Sequence, residues 1–498
     1  MIYYANMVTG IRGFMSDAKG LSGKVWNLAH VLRDQGLSYS DYLEQITMLL
    51  FLKMAQENKD AGHKSSIPEE FTWHKLRECK GATLIAQYEN TLKALGKQQG
   101  LLGLIYKDAQ NKIVTPVLLE RVISLLNSEQ WASFGADVKG DLYEGLLERN
   151  AQDVKSGAGQ YFTPRALIDA ILDVVAPKLG QTIADPACGT GGFLLSAFNH
   201  LNAQLASKSN AKKAKFLREN TFYGADIVSS VVRLCAMNLF LHGLEMPENQ
   251  QPLVENTNSL EKDPERLFDL VLANPPFGRS SVMKFADSDS ETSGESEIIQ
   301  RKGFVTTSNK QLNFVQHIKT MLKIGGTGAV ILPDNVLFEG GVGEVIRRDL
   351  LATCDVHTLL RLPTGIFYAQ GVKANVLFFE KKSVQSKPCT ERLWVYDFRT
   401  NLNFTLKTRR MIRADLDAFV DLCVLSQRKK RKESERFRSF SYAEIIQRDK
   451  ANWDIFWLKD NAFEPNQVLA KPDVLAANII RELEIALESF RRVEMQLR

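Results

Sequence analysis

The chain has 498 residues, which is too long for one ordinary hydrophobic core and predicts two or three domains. Its 44% hydrophobic and 24% charged residues are typical of a globular protein, and its longest apolar run, at 46–55, is broken by Lys53 well short of a membrane span. The net charge of +5 is modest for this size and neither requires nor excludes a polyanionic partner.

The amino terminus and the cysteines limit the cellular setting. The first residues lack a basic start followed by an apolar core, so we predict no secretory signal, no transmembrane helix and a cytoplasmic protein. The six cysteines are scattered without CxxC or Cys/His metal-ligand spacing. This pattern predicts reduced thiols and neither disulfides nor a bound metal.

The first part of the chain has a helical pattern. Residues 25–126 place apolar side chains three and four positions apart, with Ser40 or Asp41 as plausible N-caps. After Gly140 another helical stretch leads into a Gly/Ser-rich loop that ends at a Thr-Pro pair suited to starting a helix. We therefore predict an all-helical domain at 1–145.

The pattern then changes to short apolar runs that alternate with helical segments. The runs TIADPA, TFYGADI, LFDLVLANPP, GAVILP and NVLFFEK have the length of buried strands. Strands that alternate with helices indicate an α/β domain with a doubly wound sheet, which we assign to 146–400. A polar stretch at 279–309 is long for a loop in a compact domain, and it is either a functional lid or a disordered insertion.

Beyond residue 400 the strand signals fade, so we assign 401–498 to a C-terminal extension. A basic cluster at 428–438 either contacts phosphates or forms a solvated loop. The extension ends in an amphipathic helical pattern that either docks on a partner or packs on its own chain. Its apolar positions are Ile480, Leu483, Leu487 and Phe490.

The residues that follow each strand are the first candidates for ligand contacts, because ligands bind beyond the carboxyl ends of the strands in open α/β sheets. After the first strand, ADPACGTGGFL contains Gly189, Gly191 and Gly192, which permit a tight turn and a close approach by a ligand. The spacing matches neither the GxxxxGK[ST] phosphate loop nor GxGxxG. This turn alone is therefore consistent with a dinucleotide, a phosphate or no ligand.

The second strand ends at Asp226, whose carboxylate is suited to accept hydrogen bonds from both hydroxyls of a ribose, although an aspartate that caps the next helix fits the pattern equally. It lies farther from the glycines than the roughly 20 residues typical of dinucleotide binders. A ribose site beside a turn without phosphate-binding features favours a nucleoside cofactor without phosphates, such as S-adenosylmethionine. The next strand end, NTNSL, would put Asn258 near the adenine of that cofactor.

The fourth strand ends in Asn274, Pro275, Pro276 and Phe277. Prolines donate no amide hydrogen to a sheet, so the simplest interpretation is a turn that ends the strand. A second interpretation is catalytic. The Asn274 side-chain oxygen and the Pro275 carbonyl can each accept one hydrogen of an exocyclic amine, and Phe277 offers a flat face to a planar base. If such an amine attacks the methyl group of S-adenosylmethionine, no general base is needed before the attack, because the proton can leave afterwards.

These motifs occur together and in one order. They are GAGQYFTPR at 157–165, DPACGTGGFL at 185–194, GADI at 224–227 and NPPF at 274–277. In this arrangement they resemble the amino-methylating DNA methyltransferases. With 25–55 and LPTGIFYAQGVKANVLFFEK at 362–381, the chain is similar over most of its length to the modification (M) subunit of type I restriction-modification systems.

The resemblance implies a Rossmann-like sheet of the seven-stranded S-adenosylmethionine methyltransferase type. It also implies methyl transfer from S-adenosylmethionine to the N6 amine of an adenine flipped out of double-stranded DNA and received by Asn274, Pro275, Pro276 and Phe277. The implied cofactor contacts are Gln160, Tyr161, Phe162, Thr163, Pro164, Arg165, Asp185, Thr190, Gly191, Gly192, Asp226 and Asn258. Among them Thr163 would lie near the cofactor carboxylate, and Asn258 departs from the family pattern, which often has Asp there.

The same resemblance implies partners. Sequence reading would be delegated to a separate specificity (S) subunit, with two M chains per S chain, and a motor-nuclease (R) subunit would join for restriction. We expect the terminal helix to dock on the S subunit, so that deleting 478–498 abolishes methylation by the complex while cofactor binding survives. Three alternatives remain at this stage: glutamine-N5 protein methylation, cytosine-N4 methylation, and a methyltransferase-fold subunit that acts only in assembly or DNA binding.

Overall fold

A computed structural model describes residues 37–63, 65–131, 143, 145–147, 163–206, 210–244, 253–261, 265–277, 303–367, 372–406 and 408–459. The predicted elements at 25–36, 157–162, 279–302 and 478–498 lie outside these ranges. Within them, none of the helices combines the length and the apolar character needed to cross a membrane. The chain divides into two compact units, one formed by Met1–Arg399 with Asn403–Ile455 and the other by Thr400–Leu402 with Phe456–Arg498.

The N-terminal part consists of helices that pack around one hydrophobic core. The helices in 37–131 are Tyr39–Asp60 (α1), Trp73–Glu78 (α2), Ala82–Leu95 (α3), Gly100–Tyr106 (α4) and Pro116–Asn127 (α5). The N-cap of α1 is Ser38, whose side chain accepts the amide of Asp41, and neither of the two predicted caps is used. Trp73, Tyr88 and Tyr106 are almost fully buried. The apolar spacing therefore reflects a real core face.

One mixed sheet forms the centre of the following part. Its strands are Ile183–Asp185 (β1), Phe222–Asp226 (β2), Val254–Asn256 (β3), Phe268–Ala273 (β4), Leu322–Pro333 (β5), Cys354–Arg361 (β6), Ala374–Lys381 (β7), Arg392–Asp397 (β8) and Phe437–Ser441 (β9). Their order is β3-β2-β1-β4-β5-β7-β6-β8-β9, and β7 runs antiparallel to both β5 and β6. Over the ranges that the structure describes, the sheet thus has nine strands, whereas the resemblance implies seven.

The sheet also continues past residue 400, where we expected it to end. β9 pairs antiparallel with β8, and the Phe437 ring stacks on Trp394 with 4.8 Å between the ring centroids. The sequence of β9, FRSFS, is short, and only Phe437 in it is buried. Such an edge strand has little hydrophobic signal of its own and forms because β8 offers free backbone groups for pairing.

Helices connect the strands and cover the sheet. They are Arg165–Val175 (α6), Gly192–Ala206 (α7), Ala211–Glu219 (α8), Ser229–Leu241 (α9), Lys310–Met321 (α10), Asn335–Phe338 (α11), Val342–Thr353 (α12), Asp417–Cys423 (α13) and Tyr442–Gln447 (α14). From β1 the chain proceeds outward to β2 and β3, whereas from β4 it proceeds to β5 on the other side. Because crossover connections are right-handed, this reversal places the two sets of helices on opposite faces and opens a crevice between β1 and β4.

Helix α9 joins the sheet to the N-terminal helices. Arg233 on α9 is 2% exposed, forms an ion pair with Glu44 on α1, and donates a hydrogen bond of 2.6 Å to the carbonyl of Lys107. Nearby, the Phe51 and Phe240 rings lie 5.1 Å apart. A buried charge is tolerated only with such partners, so this contact fixes the helical part on the sheet.

Candidate active site

The crevice brings three of the sequence motifs to one edge of the sheet. β1 and β4 are parallel neighbours, with Ile183 opposite Leu270 and Ala184 opposite Val271. The glycine turn after β1 therefore lies beside the Asn-Pro-Pro-Phe turn after β4. On the other side of β1, β2 ends at Asp226. This is the point of an open α/β sheet at which ligand sites form.

The glycine turn is held in place by α9. Gly189 and Gly191 have φ angles of 53° and 84°, which residues with a Cβ rarely adopt. A Cβ on Gly191 would lie 2.8 Å from Cys235 Sγ, so glycine is also needed for the close approach of α9. From the same helix, Asn238 Nδ2 donates to the Thr190 carbonyl at 2.9 Å.

Two carboxyl groups lie beneath and beside the turn. Asp226 accepts the amides of Gly189 at 3.1 Å and Val228 at 2.9 Å, and its burial raises its pKa. Asp185 is 1% exposed and accepts the amide of Ala187 at 3.0 Å. Burial raises the pKa of Asp185 to about 8, the nearby Asp226 adds to this rise, and the hydrogen bond from the Ala187 amide opposes it. Asp185 therefore braces the turn from below, while Asp226 borders the crevice.

Two further residues of this edge were not anticipated. Asn256 Nδ2 donates to the carbonyls of Asp226 at 3.1 Å and Ile227 at 3.0 Å, and Ser259 Oγ donates to the carbonyl of Pro186 at 2.6 Å. They tie the end of β3 to the ends of β2 and β1. The strand-end rule that selected Asn258 applies to both, but nothing local distinguishes a bracing residue from a ligand contact.

Asn258 itself makes short-range contacts. Its Nδ2 donates to Glu261 Oε1 at 2.5 Å, and its Oδ1 accepts the amide of Leu260 at 3.2 Å. Both bonds belong to the turn that follows β3. Any bond to a ligand would have to replace or share them.

The catalytic candidate Asn274 is oriented by a residue far away in sequence. Its Nδ2 donates to Thr163 Oγ1 at 2.9 Å. Its Oδ1 is buried and has no hydrogen-bond partner among the described residues. A buried polar atom without a partner is rare in folded proteins and indicates a group that awaits a donor. The arrangement therefore offers one aimed acceptor at the end of β4.

The rest of the turn forms one wall of the crevice. Pro275 is buried, Pro276 is exposed, and the half-buried Phe277 ring meets Phe367 edge to face with 5.9 Å between the centroids. Across the crevice, the residue after Asp226 is Ile227, which is 44% exposed. An exposed aliphatic side chain next to a ribose-binding candidate is suited to contact a planar ring.

The predicted Gln160–Arg165 segment is described only in part, because Gln160, Tyr161 and Phe162 lie outside the described residues. Thr163 and Pro164 precede α6, and Arg165 Nη1 donates to the Gly192 carbonyl at 3.3 Å and to Ser196 Oγ. Arg165 thus ties the start of α6 to the first turn of α7. The structure brings Thr163, the glycine turn and Asn274 together.

The remaining predictions on chemistry concern metals and thiols. Within the described ranges, no group of three His, Cys, Asp or Glu side chains is placed to hold a metal ion. All six cysteines are free, and only Cys79 is not buried.

Comparisons with known proteins agree with the arrangement of the motifs. The family model for N-6 DNA methylase matches residues 135–455, and the model for the HsdM N-terminal domain matches residues 21–126. The chain is 38% identical to the type I restriction enzyme StySPI methylase subunit of Salmonella potsdam over 94% of this chain and 93% of that protein. It is 36% identical to the EcoKI methylase subunit of Escherichia coli K12, over 96% of this chain and 95% of that one. The crystal structure of the EcoKI M protein is similar with a TM-score of 0.54 at 33% identity, covering 96% of each chain.

Proposed function

The chain belongs to the N-6 DNA methylase family, as a relative of the type I restriction enzyme methylase subunits, and from this membership we propose how its residues divide the work of methyl transfer. It is a DNA methyltransferase that uses S-adenosylmethionine and modifies the N6 amine of adenine. When bound, S-adenosylmethionine supplies a methyl group on a positively charged sulfonium that a nitrogen lone pair attacks in line. The protein must therefore bind the cofactor, present the amine and exclude water.

The catalytic group in this proposal is the turn at 274–277. The N6 amine of adenine is a poor nucleophile because its lone pair is delocalised into the ring. Asn274 Oδ1 accepts one amine hydrogen and the Pro275 carbonyl accepts the other, which favours a pyramidal nitrogen with its lone pair directed at the methyl group. The buried Oδ1, which has no hydrogen-bond partner in the described part of the chain, is the observation that carries this assignment. The surplus proton leaves after transfer, so no base is required before attack.

Thr163 has two compatible roles. A hydroxyl can accept one hydrogen bond and donate another. Thr163 Oγ1 accepts from Asn274 Nδ2 and can still donate its own proton to the cofactor carboxylate. The first bond keeps the amide nitrogen away from the crevice, so that the oxygen faces the target amine.

The cofactor site in this proposal follows the sheet edge. Asp226 holds the ribose hydroxyls, since each carboxylate oxygen has a second lone pair besides the one that accepts an amide. The glycine turn, 190–192, forms the floor, and Gly191 lets α9 pack close behind it, where a Cβ would clash with Cys235 Sγ. The segment at 160–165 surrounds the methionine end, and Asn258 with Ile227 contacts the adenine.

The DNA substrate must present its base outside the helix. A methyltransferase cannot reach an amine inside stacked DNA, so the target adenine is extruded at a cost of a few kcal/mol. Phe277 supplies a face on which the extruded base stacks, and the edge of Phe367 supports that ring. The Asn274 and Pro275 acceptors then select a base that carries an exocyclic amine.

The names of the relatives support a proposal about partners. Those proteins are called methylase subunits of restriction enzymes, so we propose that this chain works with an S subunit that reads the DNA, two M chains per S, and an R subunit for restriction. Because its substrate is DNA, we propose that it acts in the cytoplasm. The helix expected at 478–498 would dock on the S subunit.

The domain division follows the same reasoning with one change. We propose a helical domain at 1–145 and a methyltransferase domain that begins at 146 and extends to about 455 instead of 400, because β9 belongs to the sheet. The first seven strands would form the methyltransferase core, with β8 and β9 as an addition. The C-terminal extension would then begin after 455.

The test is to co-express the chain with its S subunit and map N6-methyladenine in the DNA. Asn274→Ala should abolish the mark while cofactor binding is retained, because Oδ1 contacts only the target amine. Asn127→Ala, which removes an amide oxygen bonded to Trp73 in the helical part, is the matched control and should leave the mark in place. Methylation that survives Asn274→Ala would overturn the catalytic assignment.

A further inference from the structure

Helix α10 carries a buried amide that touches the catalytic turn from behind. Gln311 is 4% exposed, and its Nε2 donates to the Pro276 carbonyl at 2.8 Å. We propose that Gln311 is a positioning residue for methyl transfer, which sets the direction of Phe277 and thereby the stacking position of the target base. This inference rests on the proposed function of the 274–277 turn.

The turn needs a positioning residue because proline fixes its φ angle but not its ψ angle. A proline ring locks φ near −65° but leaves ψ to its surroundings. In the turn, the two prolines therefore set two torsions, whereas the ψ angle of Pro276 decides both where its carbonyl points and where the chain carries Phe277. That carbonyl accepts the hydrogen bond from Gln311 Nε2. It fixes the torsion that the sequence of the turn leaves open.

The donor is itself held rigidly. Asn309 caps α10, because its Oδ1 accepts the amides of Gln311 at 3.0 Å and Leu312 at 3.2 Å. Asn309 Nδ2 in turn donates to Glu339 Oε2 at 2.8 Å, next to the end of α11. The position of Gln311 is therefore set by α10 and α11, which flank β5. Through Gln311, these two helices also position the turn that follows β4.

Other buried amide side chains of α10 bind the backbone of the segment that precedes the helix. Gln316 exchanges two hydrogen bonds with the backbone of Val305, accepting at 2.7 Å and donating at 3.0 Å, and Asn313 Nδ2 donates to the Thr307 carbonyl at 2.8 Å. These bonds hold the segment that leads into the helix. Gln311 differs from them because its acceptor belongs to the catalytic turn.

The experiment uses the complex of the chain with its S subunit and target DNA. Gln311→Met keeps the length of the side chain and removes the donor. The matched control is Gln204→Met, because Gln204 on α7 also donates to a proline carbonyl, that of Pro177 at 2.9 Å, outside the turn. We expect Gln311→Met to lower the single-turnover rate per cofactor-binding site by about ten- to hundredfold, the range expected for displaced reacting groups. Cofactor affinity should stay within about twofold, and Gln204→Met should leave the rate unchanged.

Two further variants separate positioning from a merely structural role. In a Phe277→Leu background the effect of Gln311→Met should shrink to less than about threefold, because both changes act through the same ring. Gln311→Glu lacks a donor when ionised and regains one when protonated, and burial raises the pKa of such a carboxyl. Its rate relative to the unmodified protein should therefore recover as the pH falls from 8 to 6, whereas the ratio for Gln311→Met should stay flat.

The outcomes are separable from those of the proposed function. If Asn274→Ala retains methylation, the function of the turn is wrong. If Asn274→Ala abolishes it but Gln311→Met keeps more than half of the rate, only the inference on Gln311 is wrong. The inference is also overturned if Gln311→Met acts additively with Phe277→Leu, or if Gln311→Glu shows no recovery at lower pH. Counting sites by cofactor binding excludes misfolded protein from the rate.

Discussion

The bond between Thr163 and Asn274 makes a quantitative prediction. Thr163→Val has nearly the same shape but cannot accept the hydrogen bond that Asn274 Nδ2 donates at 2.9 Å. A hydrogen bond of this kind contributes about 0.5–1.5 kcal/mol net. Without it, the amide can rotate and present its nitrogen to the target amine. Since 1.4 kcal/mol is a factor of ten, the ratio of amides with Oδ1 facing the amine to rotated amides should fall about two- to tenfold, and the rate should fall in proportion to the fraction that remains correctly oriented.

The assay is single-turnover methylation of a DNA that carries the target, with cofactor at saturation so that any effect of Thr163 on cofactor affinity is removed. Thr163→Ser retains a hydroxyl at the same place and is the control. We expect it to keep most of the rate. A Thr163→Val enzyme as fast as the unmodified one, or a Thr163→Ser enzyme as slow as Thr163→Val, would show that this hydroxyl does not orient Asn274.

Three other changes follow from the site and its support. Burial raises the pKa of Asp226, so calorimetry should find that cofactor affinity is full above that pKa and declines as the pH falls through it, whereas Asp226→Asn should bind weakly with no such decline. Gly191→Ala places a Cβ at a φ of 84°, which costs about 1–2 kcal/mol, and makes it clash with Cys235 Sγ. Cofactor affinity and thermal stability should therefore fall together, and the double variant Gly191→Ala/Cys235→Ala should recover part of both losses. Arg233→Met leaves Glu44 without its cation, so chemical denaturation should show that the free energy of unfolding falls by about 3–5 kcal/mol, as for other broken buried ion pairs. A fall of less than about 1 kcal/mol would contradict the role of this ion pair in holding the helical part on the sheet.

Local rules explain why much of the site was predictable. A strand, a turn and a helix start are decided by residues within a few positions of one another, so apolar runs located β1, β2, β4, β5 and β7, and the glycines and paired prolines located the turns that follow β1 and β4. The strand-end rule then predicted that Asp226, the glycine turn and Asn274 share one edge of the sheet, as observed.

Other features were decided by contacts between distant parts of the chain. The basic cluster was expected to touch phosphates or to form a solvated loop, but its first member, Arg428, pairs with Asp355 and Glu380 at the ends of β6 and β7. The strand β9 likewise depends on β8 as a pairing partner, which no pattern within FRSFS indicates.

The sequence by itself determined that Asn274 ends a strand in a stiff turn, because the prolines act on their immediate neighbours. Only the tertiary structure decided how that turn is aimed. Thr163 is 111 positions away from Asn274, and Gln311 is 35 positions away from Pro276. A hydrogen bond across such distances depends on which strands become neighbours and on the angle at which each helix packs. These are properties of the whole fold, and they cannot be predicted from the residue types at positions 163 and 311.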